Sequence, residues 1–256
     1  MVRLSVCVEM IFTELPFLER IGAVADSGFE AFEFWGWRNK DVDAILRSKK
    51  EHGLAISSLS VDPGGRIVDY STKDVFIKGL RDSIEVAHKL GCERLIVTTG
   101  NEMIGVPRVV QHQNIVKILK EAAKLAENAN VTLVLEPLNV LVDHKGYYLY
   151  SSGEGFEILR EVGSPNIKLL YDIYHQQITE GNLIDTITKN IKLIGHFHAA
   201  DVPGRHEFGT GEINYSNVLK RIDELGYGGF VGLEFMPLVE SREALRAVRR
   251  VLESTK

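Results

Sequence analysis

Glu136, Asp172, His198 and Glu234 each stand at or near the end of a short β-rich run, and together they supply three carboxylates and an imidazole. Taken singly, each has a plain structural reading. Glu136 in Leu-Val-Leu-Glu-Pro could be a solvated strand end, Asp172 a helix N-cap, and Glu234 the partner of an arginine. His198 follows His196 on the same strand face, so one of the two could be a hydrogen-bonded core histidine. Converging in one cleft, the three acids would repel one another strongly at low effective dielectric unless a cation lay between them. Mixed carboxylate and imidazole donors suit a divalent ion of the Mn²⁺, Co²⁺, Fe²⁺ or Zn²⁺ type better than a thiolate-preferring one. Competing motifs fail on spacing. Gly209-Thr-Gly211 lacks the Lys-Ser/Thr of a phosphate loop, Gly-x-Gly-x-x-Gly is broken by Asn214, and neither Gly-x-Ser-x-Gly nor His-Glu-x-x-His occurs.

The elements needed to converge these four residues are present along the whole chain. Strand-like runs are predicted at 3–9, 29–35, 55–60, 94–99, 132–136, 168–172, 193–199 and 230–235. Helical patterns fall at 16–27, 41–52, 73–90, 108–129, 153–163, 180–190, 215–226 and 241–254. In the fourth helix Ile115, Ile118, Leu119, Ala122, Ala123, Leu125 and Ala126 recur at helical spacing. Gly28, Gly53, Gly91, Gly163 and Gly226 each precede a strand, the expected place for a left-handed residue that turns the chain back. Consecutive strands joined by helices run parallel. Eight such units in 256 residues predict an α/β fold, a (β/α)8 TIM barrel forming a single domain over 1–256. The long connections 61–72, 137–152 and 200–214 all leave strand C-termini, where such a barrel builds its site.

The composition sets the class. With 45% hydrophobic and 25% charged residues the chain reads as a soluble globular protein. A net charge of −5 provides no basic field for nucleic acid or anionic lipid. No apolar run approaches the ~18–20 residues of a membrane span, and the N-terminus resembles neither a signal nor a transit peptide. Cys7 and Cys92 are too few for a disulfide framework and suit a reducing cytoplasm. Trp35 and Trp37, after the second strand, offer stacking faces to a sugar, or one of them plugs the barrel top. Glu9 and Glu33 also sit near strand C-termini, and Glu9 is taken as a substrate contact.

Phe12-Thr-Glu-Leu-Pro-Phe-Leu-Glu-Arg20, Leu135-Glu-Pro-Leu-Asn139, Tyr171-Asp-Ile-Tyr-His175, His198-Ala-Ala-Asp-Val-Pro-Gly-Arg-His-Glu207 and Gly211-Glu-Ile-Asn-Tyr215 resemble the hydroxypyruvate isomerase branch of the xylose-isomerase-like barrels. That superfamily also holds ketose 3-epimerases of the tagatose/psicose type and epimerases of keto-sugar acids such as 5-keto-L-gluconate. The resemblance implies that Glu136, Asp172, His198 and Glu234 ligate one divalent ion per chain, Mn²⁺ foremost with Co²⁺, Mg²⁺ or Zn²⁺ as alternatives. It implies further that Glu136 and Glu234 double as the proton-transfer pair, and that His175 and Arg205 hold the substrate. Two departures stand out. Hydroxypyruvate isomerases tend to have Gln where this chain has His198, and tagatose-type epimerases have Glu where it has Val142. On these grounds the expected activity is a metal-dependent epimerase of a six-carbon ketose or keto-sugar acid, with 5-keto-L-gluconate-like substrates favoured. Hydroxypyruvate isomerase is the alternative, and a non-enzymatic sugar-binding barrel the remote one. The related abasic-site endonucleases need a multi-zinc cluster with more histidines and a basic groove, which this chain lacks. The expected partner is a small sugar or sugar acid, with homo-oligomerisation left open.

Overall fold

A computed structural model describes residues 2–253. Eight parallel strands, β1 (Arg3–Cys7), β2 (Ala31–Phe34), β3 (Ala55–Ser60), β4 (Arg94–Val97), β5 (Thr132–Leu135), β6 (Ile167–Asp172), β7 (Ile194–Ala199) and β8 (Phe230–Leu233), close in sequence order. The seam joins β1 to β8 with Arg3 beside Phe230 and Val6 beside Leu233. Around them run α1 (Phe17–Asp26), α2 (Val42–Glu51), α3 (Lys73–Leu90), α4 (Arg108–Ala129), α5 (Ser152–Val162), α6 (Ile173–Thr179), α7 (Leu183–Asn190), α8 (Tyr215–Glu224) and α9 (Ser241–Glu253). The expected (β/α)8 barrel is the observed fold; of the final helix predicted at 241–254, residue 254 lies outside the described residues.

Helix α4 shows how sequence periodicity becomes packing. Ile115, Ile118, Leu119, Ala122, Ala123 and Ala126 are buried against the barrel, while Leu125 is only half-buried at the edge of the stripe. Each of the buried Ile and Leu side chains is worth about 1.5–3 kcal/mol relative to exposure, the alanines less. The five glycines expected at helix ends all have positive φ, between 64° and 78°. At Gly91, the lack of a Cβ at φ 64° lets its N–H and that of Cys92 return to His88 and Ala87 carbonyls before β4 begins.

Two predicted boundaries need correction. A helix was expected at 180–190, but the chain forms α6 immediately after β6 and a separate α7. Asp172 makes this possible by capping α6: its Oδ1 accepts from the Tyr174 N–H at 2.8 Å. Gly181 and Asn182, at φ 62° and 49°, then break the helix before α7. Five of the eight predicted strands also run one or two residues beyond their observed C-terminal ends, and of those residues Trp35, Thr98, Glu136 and Glu234 line the barrel mouth. Among the described residues no helix is long and apolar enough to cross a membrane.

Candidate active site

The four predicted ligand residues meet at the C-terminal mouth of the barrel. His198 lies within β7, Asp172 ends β6, and Glu136 and Glu234 directly follow β5 and β8. All four are buried, and one donor atom from each lies within 4.8 Å of every other. His198 Nδ1 is 3.2 Å from Glu136 Oε1 and 3.4 Å from Glu234 Oε2. Asp172 serves two purposes: Oδ1 caps α6, while Oδ2 faces inward, 3.4 Å from His175 Nε2 and 3.8 Å from Arg205 Nη2.

Three carboxylate oxygens and one imidazole nitrogen at this spacing fit a hard or borderline divalent cation. The electrostatics of the metal-free chain agree. Burial disfavours a charged His198, yet the Glu234 and Glu33 carboxylates outweigh it and hold the imidazolium well above its ordinary range. Burial pushes Asp172 up to about 6, against the pull of Arg205 and with the push of the Glu234 charge. Burial likewise raises Glu136, whereas in Glu234 it is overcome by His198 and Arg205, which hold that carboxyl well below the usual range. Protonation and Arg205 thus offset a negative charge that a cation would balance.

Beside the four ligands opens a cavity of about 210 Å³, lined by Trp35, Ser60, Ile96, Thr98, Leu138, His144, His175 and Arg205 as well as Glu136, His198 and Glu234. Three of the four expected substrate contacts line it. Arg205 sits at φ 61° in the loop after β7, a loop gathered by buried Asp201, which accepts hydrogen bonds from the backbone of Val202, Gly209, Gly211 and Ile213. The guanidinium donates through Nη2 to Glu234 Oε2 and through Nε to the Glu234 carbonyl, and Nη1 has no hydrogen bond among the described residues. Trp35 is 43% exposed at the mouth, and its Nε1 donates to Glu234 Oε1 at 2.9 Å. Trp37 instead donates to Ser83 and packs on the core, outside the cavity lining.

Glu9 does not line the cavity. Lys40 holds its carboxylate at 2.8 Å, and its Oε1 accepts from the Trp35 backbone N–H at 3.3 Å, which makes it a support for Trp35. Val142, whose position suggested a changed substrate end, is 61% exposed and also outside the lining.

Sequence reasoning missed how His175 is set. Asn139 Oδ1 accepts from the N–H groups of Val142 and Asp143, which fixes its amide orientation. Its Nδ2 therefore donates to Asp143 Oδ2 and to His175 Nδ1, both at 2.7 Å. With Nδ1 accepting, the proton of a neutral His175 is on Nε2, the buried atom beside Asp172 and the cavity. Burial also depresses the pKa of His175, with Arg205 adding to the effect, so the ring is neutral. The only sequence signal was Asn139 closing Leu135-Glu-Pro-Leu-Asn139, a position typical of a side chain that caps its own loop.

The family model described as xylose isomerase-like TIM barrel matches residues 21–254. Hydroxypyruvate isomerase of Escherichia coli K12 is 32% identical over 96% of this chain and 98% of its own length. A 2-oxo-tetronate isomerase of Cupriavidus necator is 32% identical over 93% of this chain and 94% of its own. The crystal structure of AP endonuclease, family 2, from Brucella melitensis superposes with a TM-score of 0.93 at 28% identity, over 98% of this chain and 99% of that one. Solved ketose 3-epimerases, at 17–21% identity, share the fold alone. These findings overturn the expected six-carbon epimerase: the relatives alike over nearly the whole length are named as isomerases of hydroxypyruvate and 2-oxo-tetronate, so the alternative reading is the better supported. On the match of its sequence and the closure of its eight strands, the chain belongs to the xylose isomerase-like TIM barrel family.

Proposed function

We propose that this protein is a divalent-metal-dependent isomerase of a short hydroxy-oxo acid, converting a 3-hydroxy-2-oxo acid such as hydroxypyruvate into the isomeric 2-hydroxy-3-oxo acid. The observation that carries the reading is one small cavity in which the Glu136–Asp172–His198–Glu234 cluster faces Arg205 and His175. The similarity to hydroxypyruvate and 2-oxo-tetronate isomerases supports the substrate class.

Glu136, Asp172, His198 and Glu234 would hold the ion, with Mn²⁺ best matched to the donor set. When bound, such an ion supplies Lewis acidity, favouring negative charge on the substrate's carbonyl and hydroxyl oxygens. The remaining work falls to the chain. Arg205 offers Nη1 to the substrate carboxylate, for which a guanidinium is suited in both charge and shape. His175 offers Nε2–H to a substrate oxygen. Both Glu234 oxygens are engaged, Oε1 by Trp35 and Oε2 by Arg205. Glu136 gives one oxygen to His198, and no hydrogen bond among the described residues reaches its Oε2. Glu136 is thus the group free to take the proton from C3 and return it to C2, while the hydroxyl proton passes from the C3 oxygen to the C2 oxygen of the intervening enediol. A 1,2-shift on one face requires a single such base. Trp35 covers the mouth and limits exchange of the carried proton with water.

The test is incubation of hydroxypyruvate with the Mn²⁺-loaded protein, followed by proton NMR for the aldehyde isomer. Wild type forms it, and Glu136→Gln slows turnover by about 10²–10⁴-fold. Absence of product from wild type, or unimpaired turnover by the Gln variant, contradicts the reading.

A further inference from the structure

Below the four-residue cluster the barrel interior holds a second buried polar group: Glu33 on β2, His196 and His198 on β7, and Ser5, Ser57 and Ser58 on β1 and β3. Donor atoms of Glu33, His196 and His198 also lie within 4.8 Å of one another. His198 thus belongs to both groups, turning Nδ1 toward Glu136 and Glu234 and Nε2 toward Glu33.

We infer that Glu33 is a positioning residue: its Oε1 accepts the proton of His198 Nε2–H, and so keeps the Nδ1 lone pair turned to the metal centre. This rests on the metal-dependent reading above. Glu33 Oε1 and His198 Nε2 lie 3.1 Å apart without the alignment of a hydrogen bond, and neither polar atom has a hydrogen-bond partner elsewhere among the described residues. Both atoms are buried.

The other carboxylate oxygen explains why Glu33 is seated so firmly and why the group is not a metal site of its own. Glu33 Oε2 is met by His196 Nε2 at 2.9 Å and by the hydroxyls of Ser57 at 2.7 Å, Ser58 at 3.2 Å and Ser5 at 3.3 Å. These donors balance the carboxylate by hydrogen bonding alone, leaving Oε1 for His198. A cation there would also require His198 to lose its Nε2 proton while Nδ1 serves the other centre. Space for the arrangement comes from Gly232, the β8 residue in register with His198. A Cβ at that position would meet Glu33 Cδ at 2.7 Å, so only glycine leaves the carboxylate its place.

A histidine that binds a metal generally gives its second ring proton to such an acceptor, and losing the acceptor typically costs about 10–100-fold in metal affinity. The experiment titrates Mn²⁺ calorimetrically into wild type, Glu33→Gln and Glu33→Ala, each checked for cooperative unfolding. Histidine ¹⁵N NMR of the Zn²⁺-loaded forms then reads which His198 nitrogen carries the proton. Expected are a loss of about 10–100-fold for Glu33→Ala and a smaller one for Glu33→Gln, which retains an acceptor oxygen. Wild type is expected to show a protonated Nε2 and a metallated Nδ1, a signature that a merely structural role for Glu33 does not demand. If Glu33→Ala does not fold, the Gln variant and the wild-type NMR signature decide. Wild-type affinity in the folded variants, or metal on Nε2 in wild type, overturns the assignment while leaving the metal centre standing. A wild type that binds no divalent ion overturns the metal centre and this assignment with it.

Discussion

Arg205 is the side chain through which the proposed substrate charge is read, and Arg205→Met isolates that role because it keeps the bulk and removes the cation. The guanidinium is 13% exposed, pairs with Glu234 and lies 3.8 Å from Asp172. Breaking a buried pair by deleting one partner costs about 3–5 kcal/mol, mostly the penalty of the charge left behind. The metal-free variant is therefore expected to lose about that much unfolding free energy. Mn²⁺ should restore part of it, since the ion balances the same carboxylates that Arg205 balances. The catalytic effect is separable by comparing two substrates that undergo the same proton shift, anionic hydroxypyruvate and neutral dihydroxyacetone. One charge-assisted contact is worth about 1–3 kcal/mol, which corresponds to roughly 5–150-fold in kcat/KM. Wild type should favour the anion, and the variant should lose that preference by this factor at saturating Mn²⁺. Denaturant unfolding with and without Mn²⁺, together with steady-state kinetics on both compounds, supplies the numbers. An equal loss on both substrates, or a wild type that favours the neutral one, refutes the role given to Arg205.

Proton competition should set the pH dependence of metal binding. In the metal-free chain the His198 imidazolium is held well above 6.5, so its contribution to stability is full below 6.5 and fades as pH rises through the folded-state value. Metal binding needs the Nδ1 lone pair and so releases a proton; calorimetry in buffers of differing ionisation enthalpy should find Mn²⁺ affinity rising with pH, and a pH-independent affinity with no proton release would contradict this. Asn139→Ala removes the hydrogen bond that places the His175 proton on Nε2; KM for hydroxypyruvate should rise by up to about tenfold, the worth of roughly one hydrogen bond, with kcat little changed, and an unaltered KM would remove Asn139 from substrate recognition. Burial pushes the Cys92 thiol up to about 11 and raises Cys7 as well. Neither should react with a thiol reagent near neutral pH until the barrel unfolds, and a rapid titration of either in the native protein would show that the barrel opens locally.

The metal-type cluster was legible because residues of the right chemistry recur at the ends of strands whose alternation with helices fixes a parallel barrel. Convergence at one mouth follows from that topology, so Glu136, Asp172, His198 and Glu234 could be placed without coordinates. Helix α6 was hidden because it begins with no gap after β6, and Asp172 serves strand, cap and cluster together. Glu9 was misplaced because strand position says which end of the barrel a carboxylate reaches, while a loop lysine, Lys40, decides which way it turns. Glu33 stood among the strand-end acids, but the serine hydroxyls that seat it come from β1 and β3, and only strand register brings them together. Substrate size was misjudged for a similar reason. Val142 suggested a changed end for a six-carbon ligand, yet the loop after β5 turns that side chain to solvent and leaves His144 in the cavity wall.

Whether one divalent ion held by Glu136, Asp172, His198 and Glu234 supports isomerisation of a short hydroxy-oxo acid can be decided in a single titration. Chelator-stripped protein is titrated with Mn²⁺ while bound metal and hydroxypyruvate turnover are followed in the same samples, beside an Asp172→Ala/His198→Ala double variant. Wild-type activity is expected to rise from near zero in step with occupancy and to saturate at one ion per chain, with both signals lost in the variant. Full turnover in stripped wild type, or full occupancy and activity in the double variant, would contradict it.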